Sequence, residues 1–442
     1  MMRTTRSGCS RRGRVERLLL AVSLPAIAVL AACGDDGDDS GASPDGRGAA
    51  PTTISLVVFG EIEELEAYRT LAESFESSQD DVDVDLVEVP DRQALITRVT
   101  TSIAAGDPPD LFVINYRFFG QFAARDLLEP LQERLDDSDV LAEEDMYDLA
   151  LDAFRYPGDD ITCLPQNVSS LVVYYNRDLF EAAGVPEPSA GWTWDDMVTA
   201  ADAMTSGEQH GLGVEASIIR LAPFVWSNGG DIVDDPKDPT RFTLDTPEAL
   251  EALDKFLALR ADGLIPTLEE SASEDDEARF ANGRLGMYMN SRRVTPQFRL
   301  ITDFEWDVAP LPVLGEPAGV LHSDAYCMPA DSTQHDAAFS FVEYALGPDG
   351  APVIAETGRT VPSLRAVAES DAFLDPGQDP ASSAVFLDTI PAIRQLPTIS
   401  TWPEIEDVSN EILEAAREAG TPAVEVASQL DEATRELFAR AS

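Results

Sequence analysis

Between Ile54 and Ile114 the sequence alternates short apolar runs with amphipathic helices, and that alternation limits the fold more than any other feature. Ile54-Ser-Leu-Val-Val-Phe59 has the length and β-branched content of a strand. Ile62, Leu65, Tyr68, Ala72 and Phe75 then recur at three- and four-residue steps, which predicts a helix over 61–75. Val82, Val84 and Leu86 share one face of a second strand, with Asp83 and Asp85 on the other. Leu95, Ile96, Val99 and Ile103 mark a helix over 92–103, and Asp110-Leu-Phe-Val-Ile114 reads as a buried strand. The order β-α-β-α-β predicts an α/β fold, a sheet with helices on both faces. The pattern resumes with a strand at 171–175, helices at 178–183, 194–204 and 248–260, and strands at 287–289, 308–313 and 319–328. A helical segment closes the chain from 403 to 441. At 442 residues there is room for two cores, and no break in composition after Pro51 divides the chain end to end.

The N-terminus has a different character. Arg3, Arg6, Arg11, Arg12, Arg14 and Arg17 precede the apolar run Leu18 to Leu30, which is too short to cross a bilayer comfortably and reads as an export signal over 1–32. Leu30-Ala31-Ala32-Cys33 resembles the bacterial lipobox, in which the cysteine takes a diacylglycerol thioether and becomes the mature N-terminus; an ordinary signal-peptidase site is the alternative. The Gly/Asp/Ser run that follows cannot bury enough surface to fold. Residues 33–50 are therefore expected to be a lipidated cysteine and a disordered tether, holding an exported domain on the outer face of the cell membrane.

Lys and Arg number 31 against 81 Asp and Glu, a formal charge of −50. A protein that tracks nucleic-acid phosphates needs the opposite balance, so that class is excluded as a default. Loss of the signal would remove six arginines and one glutamate, leaving a still more acidic exterior domain. Such a surface favours solubility and repels anions at long range, which points to a neutral or cationic ligand. Of the four cysteines, Cys9 leaves with the signal and Cys33 takes the lipid. Cys163 and Cys327 are expected to pair in an exported protein, with two buried thiols as the alternative.

Motifs for catalysis are absent: no Walker A loop, His-Glu-x-x-His, Gly-x-Ser-x-Gly or Cys-x-x-Cys. His210, His322 and His335 lack metal-ligand spacing, and Asp81, Asp83 and Asp85 alternate with valines without the glycine of a calcium loop, so neither metal nor cofactor is expected. His322-Ser323-Asp324 cannot act as a triad, because neighbours on a strand face opposite ways.

Several stretches together resemble the extracellular solute-binding proteins, family 1, the sugar-type receptors of ATP-driven importers. They are Ala105-Gly-Asp-Pro-Pro-Asp110-Leu-Phe-Val, Leu164-Pro, Val173-Tyr-Tyr-Asn-Arg-Asp-Leu-Phe-Glu-Ala-Ala-Gly184, Gly191-Trp-Thr-Trp-Asp-Asp196, Trp226-Ser-Asn-Gly-Gly230, Phe280-Ala-Asn-Gly-Arg-Leu-Gly-Met-Tyr-Met-Asn290 and Ala309-Pro-Leu-Pro312. They occur in the family's order across most of residues 52–365. The resemblance implies a type II periplasmic-binding-protein-like fold: two discontinuous α/β lobes, 52–162 plus 310–350 and 166–306 plus 355–442, joined by a hinge around a ligand cleft. It further implies a monomeric receptor, not an enzyme, that delivers a mono- or oligosaccharide to the membrane permease subunits of an ABC importer. A polyamine or other cation receptor and a surface-anchored carbohydrate-active enzyme are the alternatives.

A saccharide cleft needs aromatic faces for C–H surfaces and polar groups for hydroxyls. Phe59 and Glu61 follow the first strand, and Asn115 and Tyr116 follow the third, at the edge where an open α/β sheet meets its ligand. Phe119 and Phe122 are expected in the lobe core. Asn167 and Ser169 lie near the first crossing between lobes, and Asn290 and Arg292 at the return crossing, where a salt bridge is the common fate of an arginine. Trp226, Asn228, His322, Tyr326 and Trp402 complete the candidate ligand contacts, Trp402 because it stands just before a helix.

Overall fold

A computed structural model describes residues 50–441 apart from Glu61, Pro157 and Asp159. The signal, Cys33 and the tether lie outside the described residues. Two sheets organise the rest. The first contains β1 (Thr52–Phe59), β2 (Val82–Val89), β3 (Leu111–Asn115), β4 (Leu164–Pro165) and β10 (Asp324–Cys327), in the order β2-β1-β3-β10-β4. The second contains β5 (Val172–Asn176), β6 (His210–Gly213), β7 (Leu285–Asn290) and β8 (Trp306–Ala309), in the order β6-β7-β5-β8. A short parallel pair, β9 (Gly319–Val320) with β11 (Ile393–Arg394), stands apart from both.

β1, β2 and β3 run parallel, as the strand–helix alternation demands, and β10 returns antiparallel against β3 and β4. Alternation along these strands feeds two cores. Ile54, Leu56 and Val58 pack with Tyr68, Leu71 and Phe75 of the helix Ile62–Ser78, while Val57 faces Leu95 and Val99 of the helix Arg92–Ala105. In β5, Val173 and Tyr175 face one core and Val172 and Tyr174 the other. β2 lies at one edge of this sheet, and its exposed Asp83 and Asp85 discourage pairing with another chain.

Three crossing segments tie the sheets together. Ser169 and His322 exchange backbone hydrogen bonds of 2.9 and 2.8 Å, the Val168 N–H donates to the Val361 carbonyl at 2.9 Å, and the Ser363 N–H to the Gln166 carbonyl at 3.1 Å. Segments 166–170, 319–323 and 360–363 therefore form one hydrogen-bonded bundle where the chain passes between lobes. Cys163 and Cys327 are joined as a disulfide, with Cα atoms 4.6 Å apart, which fastens the start of β4 to the end of β10.

Candidate functional site

A cleft of about 780 Å³ opens over this bundle, with walls from both sheets. On the first sheet's side stand Phe59 at the end of β1, Asn115 at the end of β3, and Arg92 and Arg117 in the first turns of the helices that follow β2 and β3. Asp91 accepts a hydrogen bond from the Ala94 N–H at 2.8 Å and so caps the helix Arg92–Ala105, fixing Arg92 at the rim. Gly106, with φ of 73°, ends that helix in the left-handed conformation and turns the chain back into β3. Asn115 does the same capping work for the helix Tyr116–Ala123, its Oδ1 accepting from the Arg117 N–H at 3.3 Å and Nε–H at 3.2 Å.

The opposite wall comes from 214–220, from 275–277 and from the end of β7 through Arg293. The Asn290 amide, 1% exposed, donates to the Tyr288 hydroxyl, and its Oδ1 accepts from the Ser291 N–H at 2.8 Å and from Arg220 Nη2 at 3.3 Å. The helix Trp402–Ala419 closes one end with Glu406, Asn410, Glu411, Glu414 and Arg417.

Charge dominates the lining. Arg117 and Glu406 form a buried ion pair across the cleft end, Arg359 pairs with Glu64 at 2.5 Å, and Arg293 pairs with Glu277 at 2.8 Å. Burial raises the Glu64 carboxyl, against the pull of Arg359. Burial, and then the guanidiniums of Arg220, Arg117, Arg293 and Arg92, holds the His322 imidazole well below its ordinary range. Its Nε2 is buried without a hydrogen-bond partner.

Of the sequence-based candidates, the cleft brings together Phe59, Asn115, Asn167, Ser169, Asn290, Arg292 and His322. Several of these are already occupied. Asn167 Oδ1 accepts from the Asp324 N–H at 2.8 Å and its backbone carbonyl accepts from the Ser323 hydroxyl at 2.7 Å, so this amide braces the crossing strands. The Arg292 guanidinium points away from the lumen, 4.2 Å from the Phe373 ring centre and 4.9 Å from that of Phe386, donating to the Phe373 carbonyl at 3.2 Å. Among the described residues Arg292 forms no salt bridge, unlike the common fate expected of it, and burial lowers it to about 10.

Five candidates lie elsewhere. Tyr116 is fully buried and accepts from the Leu396 N–H at 3.1 Å, because the first helical residue after β3 turns into the core. Trp226 is buried beneath the Arg394 guanidinium, and Asn228 donates to the Glu248 carbonyl at 2.8 Å on the outer side of its lobe. Tyr326 packs edge-on against Phe341 under the first sheet. Trp402 has no exposure and packs against Phe242, one apolar partner among many at the base of its helix. Glu61 lies outside the described residues. Sequence reasoning missed Arg92, Arg117, Arg220 and Arg359. Their signal was an arginine at a strand-to-helix junction, as at Arg92 and Arg117, in a chain with few cations.

All five tryptophans are buried, and none lines the cleft; its aromatic faces are Phe59, Tyr68 and Tyr288. Among the described residues no helix is long and apolar enough to cross a membrane.

The family model described as bacterial extracellular solute-binding protein matches residues 70–381. A binding protein of Brucella abortus is 26% identical over 360 residues, covering 79% of this chain and 84% of its own. The diacetylchitobiose binding protein DasA of Streptomyces coelicolor is 23% identical over 412 residues, 90% of this chain and 92% of DasA. Among solved structures, the ABC substrate-binding protein Lmo0181 of Listeria monocytogenes in complex with cycloalternan superposes with a TM-score of 0.81 at 23% identity, over 88% of this chain and 99% of that one.

Proposed function

From the premise that the chain belongs to the bacterial extracellular solute-binding proteins, we propose that it is a lipid-anchored receptor capturing a saccharide for an ABC importer. The observation that carries this reading is the cleft of about 780 Å³ between two sheets over a hydrogen-bonded bundle of crossing segments. That volume suits a small saccharide. The lobes, 52–162 with 310–350 and 166–306 with 355–442, close on the ligand about the crossing segments, and the closed form is what the permease recognises. The relatives' sugars support a carbohydrate ligand. Phe59, Tyr68 and Tyr288 supply the apolar faces, and His322 and the rim arginines the hydrogen bonds. The protein works as a monomer and returns its ligand unchanged. Export by residues 1–32, with a diacylglycerol on Cys33, places it on the outer face of the membrane.

Isothermal calorimetry with a panel of mono- and oligosaccharides tests the reading, with the recovered ligand analysed by mass spectrometry. Saturable one-to-one binding with an unaltered ligand is expected. Cleaved products would favour the carbohydrate-active enzyme instead, and a response to spermidine alone the cation receptor.

A further inference from the structure

The cleft holds guanidinium donors that the protein leaves unspent. Arg220 is 8% exposed, yet the only hydrogen bond of its guanidinium among the described residues is a long one to Asn290, 3.3 Å, and its Nε is buried with no partner. Its one ion pair among the described residues is a loose one, to Glu215 at 3.6 Å, whose side chain is 72% exposed to water. Arg92 makes no hydrogen bond or ion pair among the described residues; its guanidinium lies 4.6 Å from the Phe118 ring centre and 5.5 Å from that of Phe59, with Nε buried and orphaned. Asp324, Glu406 and Glu64 are within electrostatic reach of Arg92, but none of them forms an ion pair with it. His322 lies within reach of both arginines, with its Nε2 unpartnered.

A buried guanidinium presents five N–H donors in a fork that fits a carboxylate or phosphate, and leaving them bare in a water-poor site is costly. Neutral hydroxyls can fill some of those donors but cannot offset the charge. The two arginines also come from opposite walls: Arg92 opens the helix behind β2 of the first sheet, and Arg220 lies in the helix Ile218–Ser227 beside the second. One anion between them would draw the lobes together.

We propose that this part of the cleft binds an anionic group of the ligand, a carboxylate or phosphate carried on a saccharide or polyol, gripped from opposite walls by Arg92 and Arg220, with the unpartnered Nε2 of His322 as a further contact. The proposal rests on the receptor reading and narrows its substrate class. It also sets local chemistry against the chain's overall charge, which repels anions only from a distance.

Calorimetry on the purified full-length chain would use four probes: a uronate-terminated disaccharide, a hexose phosphate, the matching neutral disaccharide and spermidine. An anionic probe should bind, and Arg92→Gln and Arg220→Gln should each weaken it at least tenfold; the uronate and phosphate arms tell which anion is taken. Thermal melts guard against misfolding, and Arg92, being partly exposed, is the safer variant. Equal or tighter binding of the neutral disaccharide, unchanged in both variants, overturns the anion subsite and leaves the receptor reading intact. Binding of spermidine alone, or of none of the four, counts against both.

Discussion

Burial pushes the Asp276 carboxyl up to about 6, against the opposing pull of Arg417 and Arg279, and its Oδ1 is buried without a hydrogen-bond partner. The folded protein therefore holds this proton more tightly than the unfolded chain, whose carboxyl titrates near 3.8. Stability from the protonated form is fully present below about pH 4 and is lost as pH rises through about 6. At pH 7 the ionised carboxylate costs roughly 1–3 kcal/mol. Asp276→Asn should accordingly be more stable than the wild type by that amount at pH 7 and match it at pH 4, read by urea unfolding at each pH. A gap that does not change between the two would show the carboxyl to be solvated. Arg292 and His322 illustrate the same local logic. Each is a polar group whose environment was invisible from its neighbours in sequence: Arg292 sits between two phenylalanine rings that join it from eighty and more residues away, and His322 faces arginines from both walls.

At the scale of elements, the paired C-terminal helices show what an aromatic residue does when it starts a helix. Trp402 begins the helix Trp402–Ala419, which packs along Ala423–Ala441; the Phe242 ring meets Trp402 at 6.3 Å and Phe438 at 5.4 Å. Trp402→Ala would leave a cavity under both helices and should cost about 3–5 kcal/mol of stability, with ligand affinity in the surviving folded fraction changed less than threefold. A large affinity loss at unchanged stability would return Trp402 to the site. The strands and helices themselves were legible because periods of 2 and 3.6 survive in the sequence: the helix Trp194–Met204 matches the predicted span, and β1 to β3 fall within a few residues of theirs. The site was legible only in part. Its edge could be inferred from the C-terminal ends of β1 and β3, which pointed to Phe59 and Asn115, two residues that line the cleft. A tryptophan before a helix, however, reads alike whether it meets a ligand or a core, and Arg220 is brought to Asn290 by packing between segments seventy residues apart.

Over the whole molecule, a formal charge of −50 surrounds a cleft that holds Arg92 and Arg220 on opposite walls, so two ranges of electrostatics oppose each other. The outer field acts on an approaching ligand through solvent, and salt screens it: the Debye length falls from about 30 Å at 0.01 M to about 8 Å at 0.15 M. Contacts inside the cleft, with water largely excluded, are screened far less. An anionic ligand should therefore associate several-fold faster as salt rises over that interval, because repulsion during approach is removed, while its dissociation rate changes less. Affinity for an anion would then improve with moderate salt, opposite to the usual weakening of an exposed ion pair. A neutral saccharide should show flat rates, and a cation a falling association rate as the attraction is lost. Stopped-flow or surface-plasmon kinetics at four salt concentrations, on wild type and Arg92→Gln, separate these cases. The substitution should raise dissociation of an anion while leaving the salt slope of association nearly intact, since one charge among so many barely alters the outer field. An association rate that falls with salt would mark a cationic ligand and remove the arginine grip from the account of capture.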